Sequence, residues 1–269
     1  MDNLKKEIVQ YISSRQHKTA VIHSDIVFGF PIKITDREQF FQSHIEELSN
    51  ALRGLNLWLP TFNYDFCKGI PFNVSEDISR VGNLSEYFRT NVANWRSPIP
   101  VFSFAGTGTM PAIPCMEEVD PFGESSLFAY MNDAVLVHYG SNFNTTTHIH
   151  YIERISGNLL YRYDKLFRGI VKENNAEREV VLRFHVRPKD LSLNYRWEFI
   201  EQDLINQGLL LKLRKGRTLI SLGSINEINL FWIEKMKDDP LYFLNQPTRI
   251  NVEKKLNDLG KAFVISDFE

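Results

Sequence analysis

The run Ala134-Val135-Leu136-Val137 constrains this chain more than any other segment. An apolar run without polar alternation reads as a buried strand, and Gly140-Ser141-Asn142-Phe143-Asn144 reads as the loop that leaves it. Comparable short runs occur at Thr19-Ala20-Val21-Ile22-His23, at Leu55 to Leu59 and at Pro100-Val101-Phe102-Ser103-Phe104. Between them Phe40, Phe41, Ile45, Leu48 and Leu52 recur at helical spacing until Gly54 closes the helix, and Leu84 to Phe88 reads as a short helix. Strands separated by helices imply a largely parallel sheet covered on both faces.

The last third has a different texture. Glu179 to Val186 and Leu209 to Leu213 read as sheet, with a helix from Trp197 to Asn206 between them. A further helix, Ile225 to Lys235, is halted by Asp238-Asp239-Pro240. The expected fold is α/β, a three-layer sandwich with a mostly parallel central sheet and an appended C-terminal sheet/helix region. No Gly/Ser/Pro-rich linker, repeat or low-complexity segment divides residues 1–269, which read as a single domain.

A hydrophobic share of 43% supports a sizeable core, and a net charge of −2 argues against nucleic acid as the main partner. Cys67 and Cys115 make no disulfide framework, so a reducing compartment is the default. Leu4, Ile8 and Ile12 mark one stripe of an amphipathic first helix, and no apolar run approaches membrane-spanning length. A soluble, cytoplasmic protein is expected.

The chemistry concentrates at Thr147-His148-Ile149-His150-Tyr151-Ile152-Glu153. Thr147 offers a helix N-cap whose hydroxyl can satisfy a free backbone N–H. His150 and Glu153 then share one helical face, giving a histidine with a carboxylate to orient it at a strand-loop-helix junction. The same spacing also suits a solvated polar face. A zinc set of His148, His150 and Glu153 is a further reading, but His-x-His on a helix points its rings apart, and neither Cys-x-x-Cys nor His-Glu-x-x-His supports it. No metal is expected.

Taken in order, these segments resemble the aminoglycoside 3-N-acetyltransferase family over nearly the full length. Val21-Ile22-His23-Ser24-Asp25 is similar to its Val-His-Ser-Ser segment, and Leu59-Pro60-Thr61-Phe62-Asn63-Tyr64 to its Met-Pro-Thr-Phe-Thr-Tyr. Gly82, Leu84, Glu86, Phe88 and Arg89, then Arg96-Ser97 and Ser103, resemble the next block. Pro121-Phe122-Gly123-Glu124-Ser125-Ser126 resembles Pro-Phe-Gly-Glu-Gly-Ser, and Thr147, His150 and Glu153 fall on Thr-x-x-His-x-x-Glu. Phe199, Leu204, Gly208, Gly223 and Asp239-Pro240 follow the closing pattern. The chain departs from the family at Asp25, where a second serine is usual, at the missing Gly-Gly after that strand, at Pro98-Ile99-Pro100 and at the extra His148.

The resemblance implies an acetyl-CoA-dependent N-acetyltransferase with His150 as general base and Glu153 orienting it. His23, Ser24, Arg96, Ser97 and Ser103 are the candidates for coenzyme A, whose pyrophosphate suits strand-to-helix turns. Asp25, Tyr64, Asp65 and Glu124 are the candidates for the acceptor. Because the departures cluster near the expected cleft and the carboxylates are scattered, the expected acceptor is an amino sugar or its nucleotide-linked form. An aminoglycoside antibiotic is the alternative. A metal-dependent hydrolase and a non-catalytic binding protein are the rivals from other classes, and no Gly-x-Ser-x-Gly supplies the hydrolase with a nucleophile.

Overall fold

In the computed structural model, which describes residues 2–30, 36–114 and 116–269, the apolar runs form the centre of a seven-stranded sheet. Cys115 lies outside the described residues. The chain begins α1 (Asp2–Ser13), β1 (Thr19–Ser24), α2 (Ile26–Gly29), α3 (Arg37–Ala51) and β2 (Asn56–Pro60). It continues β3 (Phe72–Asn73), α4 (Asn83–Asn91), β4 (Trp95–Arg96), β5 (Phe104–Gly106) and β6 (Glu118–Val119). Then come β7 (Ala134–Tyr139), α5 (His148–Ile155), the long hairpin β8 (Tyr163–Glu173) and β9 (Ala176–Val186), and α6 (Trp197–Asn206). The chain closes with β10 (Leu210–Lys215), β11 (Thr218–Ser224), α7 (Ile225–Asp238) and α8 (Gln246–Leu259).

The sheet order is β10-β11-β7-β1-β2-β5-β4. Parallel pairing is confined to the centre, where β1 joins both β2 and β7, and the pairs outside it are antiparallel. Followed across the sheet, those pairings leave only β5 and β11 running against the rest, so the sheet is mostly parallel in direction. Successive side chains of a strand point to opposite faces. On one face Ala20, Ile22, Leu57, Leu59, Val135 and Val137 pack against Ile8 of α1, Ile45 and Leu48 of α3 and Phe88 of α4. On the other, Val21, Trp58, Phe104 and Leu136 pack against Ile149 of α5, Ile200 of α6 and Trp232 of α7. The three layers follow from this alternation.

The C-terminal sheet does not stay in one piece. The β8–β9 hairpin forms a second sheet of order β3-β8-β9-β6, whereas β10 and β11 extend the central sheet. The strand expected from Pro100 to Phe104 begins only at Phe104, because Val101 sits at φ +70 and turns the chain. A branched side chain at positive φ breaks an extended run. No helix among the described residues is long and apolar enough to cross a membrane.

Candidate active site

At the ends of β1 and β7 the backbone turns sharply into the loops that line a cleft. Gly29 and Gly140 meet there without side chains: a Cβ at Gly29 would lie 2.3 Å from the Gly140 Cα, and Gly140 has φ +73. Only glycine fits so close an approach. The cleft, about 600 Å³, is lined by His23, Ser24 and Asp25 from the end of β1, Tyr64 after β2, Gly82 and Asn83 at the start of α4, Thr145 to Thr147, His150 and Trp197. Of the sequence candidates, His23, Ser24, Asp25, Tyr64 and His150 are thus brought together.

His150 and Glu153 close the expected pair. His150 Nδ1 lies 2.8 Å from Glu153 Oε2, with the histidine side chain 25% exposed and the glutamate fully buried. A carboxylate can only accept, so Nδ1 carries the ring proton and Nε2 keeps its lone pair. Glu153 Oε1 accepts from Tyr161 Oη and Tyr195 Oη, both at 2.6 Å, and Arg162 Nε stands 3.1 Å from Oε2 as an ion pair. Burial pushes the Glu153 carboxyl up, but the Arg162 guanidinium and the His150 hydrogen bond outweigh it and hold it well below the usual range. Burial lowers the pKa of His150, and Arg162 lowers it further against the opposing pull of Glu153. The imidazole is therefore a free base at neutral pH.

His185, buried beside this pair, has no hydrogen-bond partner for either ring nitrogen among the described residues. His150, Glu153 and His185 offer ligand atoms within 4.8 Å of one another. That spacing would admit a metal ion, but Glu153 is already taken up by two phenols, an imidazole and a guanidinium, and the Arg162 charge opposes a cation. The donor set fits an organised general base better than a metal.

Thr147 occupies the N-cap position, yet its hydroxyl makes no cap hydrogen bond, because its backbone is already helical at φ −67, ψ −22. His148 turns inward, away from His150, and its Nε2 lies 2.6 Å from Asn229 Oδ1. Arg96, Ser97 and Ser103 are not brought to the cleft. The Arg96 guanidinium is buried and spent on Thr61, Ser103, Val74 O and Asp77 O, where it ties the end of β2 to the segment after β3. Ser97 Oγ accepts from the Phe104 N–H at 3.0 Å, and Ser103 Oγ donates to Thr61 O at 2.9 Å. Asp65 is held by Lys68 at 2.8 Å and Arg80 at 2.6 Å, outside the cleft lining. Glu124 lines a separate cavity of about 880 Å³ with Asp120 and Arg154.

Sequence reasoning missed Tyr161, Arg162, His185, Tyr195 and Trp197. A buried arginine demands a carboxylate, and Glu153 is the one it meets, so Glu153→Gln is expected to destabilise the fold by about 3 kcal/mol by leaving Arg162 uncompensated. Urea unfolding of the variant measures this, and a loss below about 1 kcal/mol would show that the cluster does not depend on the charge.

The sequence profile of the aminoglycoside 3-N-acetyltransferase family matches residues 44–237. No curated protein sequence matches the chain. Among solved structures, the aminoglycoside acetyltransferase AAC(3)-Xa superposes with a TM-score of 0.67 at 15% identity, over 90% of this chain and 94% of that one. AAC-IIIb in its binary complex with CoASH gives 0.66 at 14% identity, over 87% and 96%. AAC-VIa bound to sisomicin gives 0.62 at 14% identity, over 87% and 97%. At such identities the superpositions speak for the fold.

Proposed function

The chain belongs to the aminoglycoside 3-N-acetyltransferase family and is an acetyl-CoA-dependent N-acetyltransferase, and from that premise we propose that His150 deprotonates an aminoglycoside amine in this cleft. The observation that carries the reading is the His150–Glu153 pair, closed at 2.8 Å at the wall of a cleft of about 600 Å³. A protein acting in the cytoplasm as one domain over residues 1–269 is part of the same reading.

A sugar amine with a pKa of about 8 is roughly one-tenth neutral at pH 7, a cost of about 1.4 kcal/mol. Its lone pair attacks the thioester carbonyl carbon of acetyl-CoA while His150 Nε2 takes the N–H proton. The tetrahedral intermediate expels the coenzyme A thiolate, which recovers that proton, leaving an acetamide and a free thiol. Glu153 supports the imidazolium between the two transfers. The starts of α4 and α5 line the cleft, at Gly82, Asn83 and Thr147. Such helix ends favour the pyrophosphate of coenzyme A.

The sequence alone puts an amino sugar ahead of an aminoglycoside, and the family match together with the likeness to the sisomicin-bound enzyme reverses that order. One observation keeps the amino sugar as a second reading. Among the described residues that line the cleft, Asp25 is the lone carboxylate, where a polycationic antibiotic calls for several. Measuring kcat/KM for sisomicin-like aminoglycosides and for amino-sugar nucleotides under one acetyl-CoA assay decides between them. The aminoglycoside is expected to lead by about tenfold or more, roughly 1.4 kcal/mol at the transition state. An amino-sugar nucleotide ahead by that factor would return the acceptor to the sugar.

A further inference from the structure

Beneath the cleft lies a second histidine that the reaction does not use. His138 of β7 is fully buried and faces His23 of β1, its register partner, with ring centroids 5.4 Å apart and planes within 18°. Three hydroxyls from the loop after β7 surround its ring. Ser141 Oγ and Thr145 Oγ1 lie 3.2 and 3.3 Å from Nδ1, and Thr146 Oγ1 lies 3.0 Å from Nε2. Each of those hydroxyls also reaches a carbonyl, Ser141 to His23 O at 2.9 Å, Thr145 to Asn142 O at 2.8 Å and Thr146 to Phe143 O at 2.6 Å. A carbonyl only accepts, and a hydroxyl has one proton. The ring therefore meets lone pairs on both sides, although burial keeps it neutral with a single proton to give.

One tautomer resolves this at least cost. With the proton on Nε2, the ring donates to Thr146 and leaves the shortest hydroxyl–carbonyl bond intact. Nδ1 then accepts from Ser141 or Thr145, and because two hydroxyls serve that side, one can turn to the ring while the other stays on its carbonyl. The loop is thus fastened to β7 by a side chain that cannot reach solvent, and the same ring backs His23 in the cleft wall.

We infer that His138 is a positioning residue for coenzyme A, fixing the loop from Ser141 to Thr147 and the His23 ring that together wall the cleft. The ligand in this inference rests on the acetyltransferase reading. His138→Leu removes every ring hydrogen bond, whereas His138→Gln places an amide N–H near the Nε2 position. His138→Leu is expected to raise the acetyl-CoA KM and the calorimetric coenzyme A Kd about tenfold while kcat stays within about threefold. Amide exchange in residues 141–147 should quicken about tenfold in the same variant. His138→Gln should recover most of both effects. If His138→Leu does not fold, Thr146→Val removes the Nε2 partner alone and is held to the same split between KM and kcat.

An unchanged KM and unchanged loop exchange would overturn the inference, as would a kcat that falls as far as KM rises. The readouts separate its failure from that of the functional reading. A wild-type protein that does not bind coenzyme A sinks the ligand assignment and the acetyltransferase site together, while loop exchange still reports whether His138 fastens the loop.

Discussion

Replacing His150 by alanine is expected to lower kcat at pH 7 by about a hundredfold or more while coenzyme A binding persists. The expectation rests on the state of the ring as much as its place. Burial and the Arg162 charge keep the imidazole neutral, Glu153 fixes the proton on Nδ1, and Nε2 is left to take a proton from the amine. Alanine leaves Glu153 with both phenols and Arg162, so the surrounding cluster keeps its charge balance and the fold should hold. Steady-state turnover with thiol release as the readout, beside calorimetric coenzyme A binding, checks both halves. Turnover near that of the wild type would remove His150 from the mechanism.

The protein should lose stability steeply between pH 6.5 and pH 4. Each of the chain's seven histidines has its pKa lowered in the fold, with burial as the first cause. His23 and His148 are pushed down to about 4, and His138 and His185 are lowered strongly as well. The unfolded chain takes up its protons near pH 6.5, while the folded chain refuses them until about pH 4 at His23 and His148. The stability these neutral rings hold is complete above pH 6.5 and drains as pH falls through the window. For His23 and His148 the loss is about 3 kcal/mol each by pH 4. Urea midpoints at stepped pH, with proton uptake on unfolding at pH 5.5, would measure it. Uptake of several protons there points to histidines, because carboxylates are already ionised in both states. A midpoint unchanged down to pH 4.5 would contradict the burial of these rings as neutral groups.

What the sequence disclosed tracks how local each feature is. Ala134 to Val137 and Thr19 to His23 are legible as strands because each is a short apolar run, whereas their central place, β1 between β7 and β2, comes from the fold. His150 and Glu153 were legible because three residues on one helix suffice to join them. Tyr161, Arg162, His185 and Tyr195 were not, since they reach Glu153 from beyond its own helix and only the fold sets that approach. Arg96, Ser97 and Ser103 look alike in any cleft or any core. The structure spends them on backbone carbonyls and amides, a use that spacing does not encode. Thr147 stands at the cap position but does not cap, because the backbone dihedrals at that point follow from the loop pinned ahead of it.

The position of β1 between β2 and β7 also governs how the polypeptide meets the ribosome. Its pairing with β2 is available once residue 60 has emerged, but its other edge waits for Ala134 to Tyr139. Non-local parallel pairing is slow, and a bare strand edge invites other chains. Until roughly half of synthesis is complete, then, the strand that ends in the cleft has at least one exposed flank. Any nascent fragment that stops short of Tyr139 keeps it exposed, however complete its amino-terminal helices.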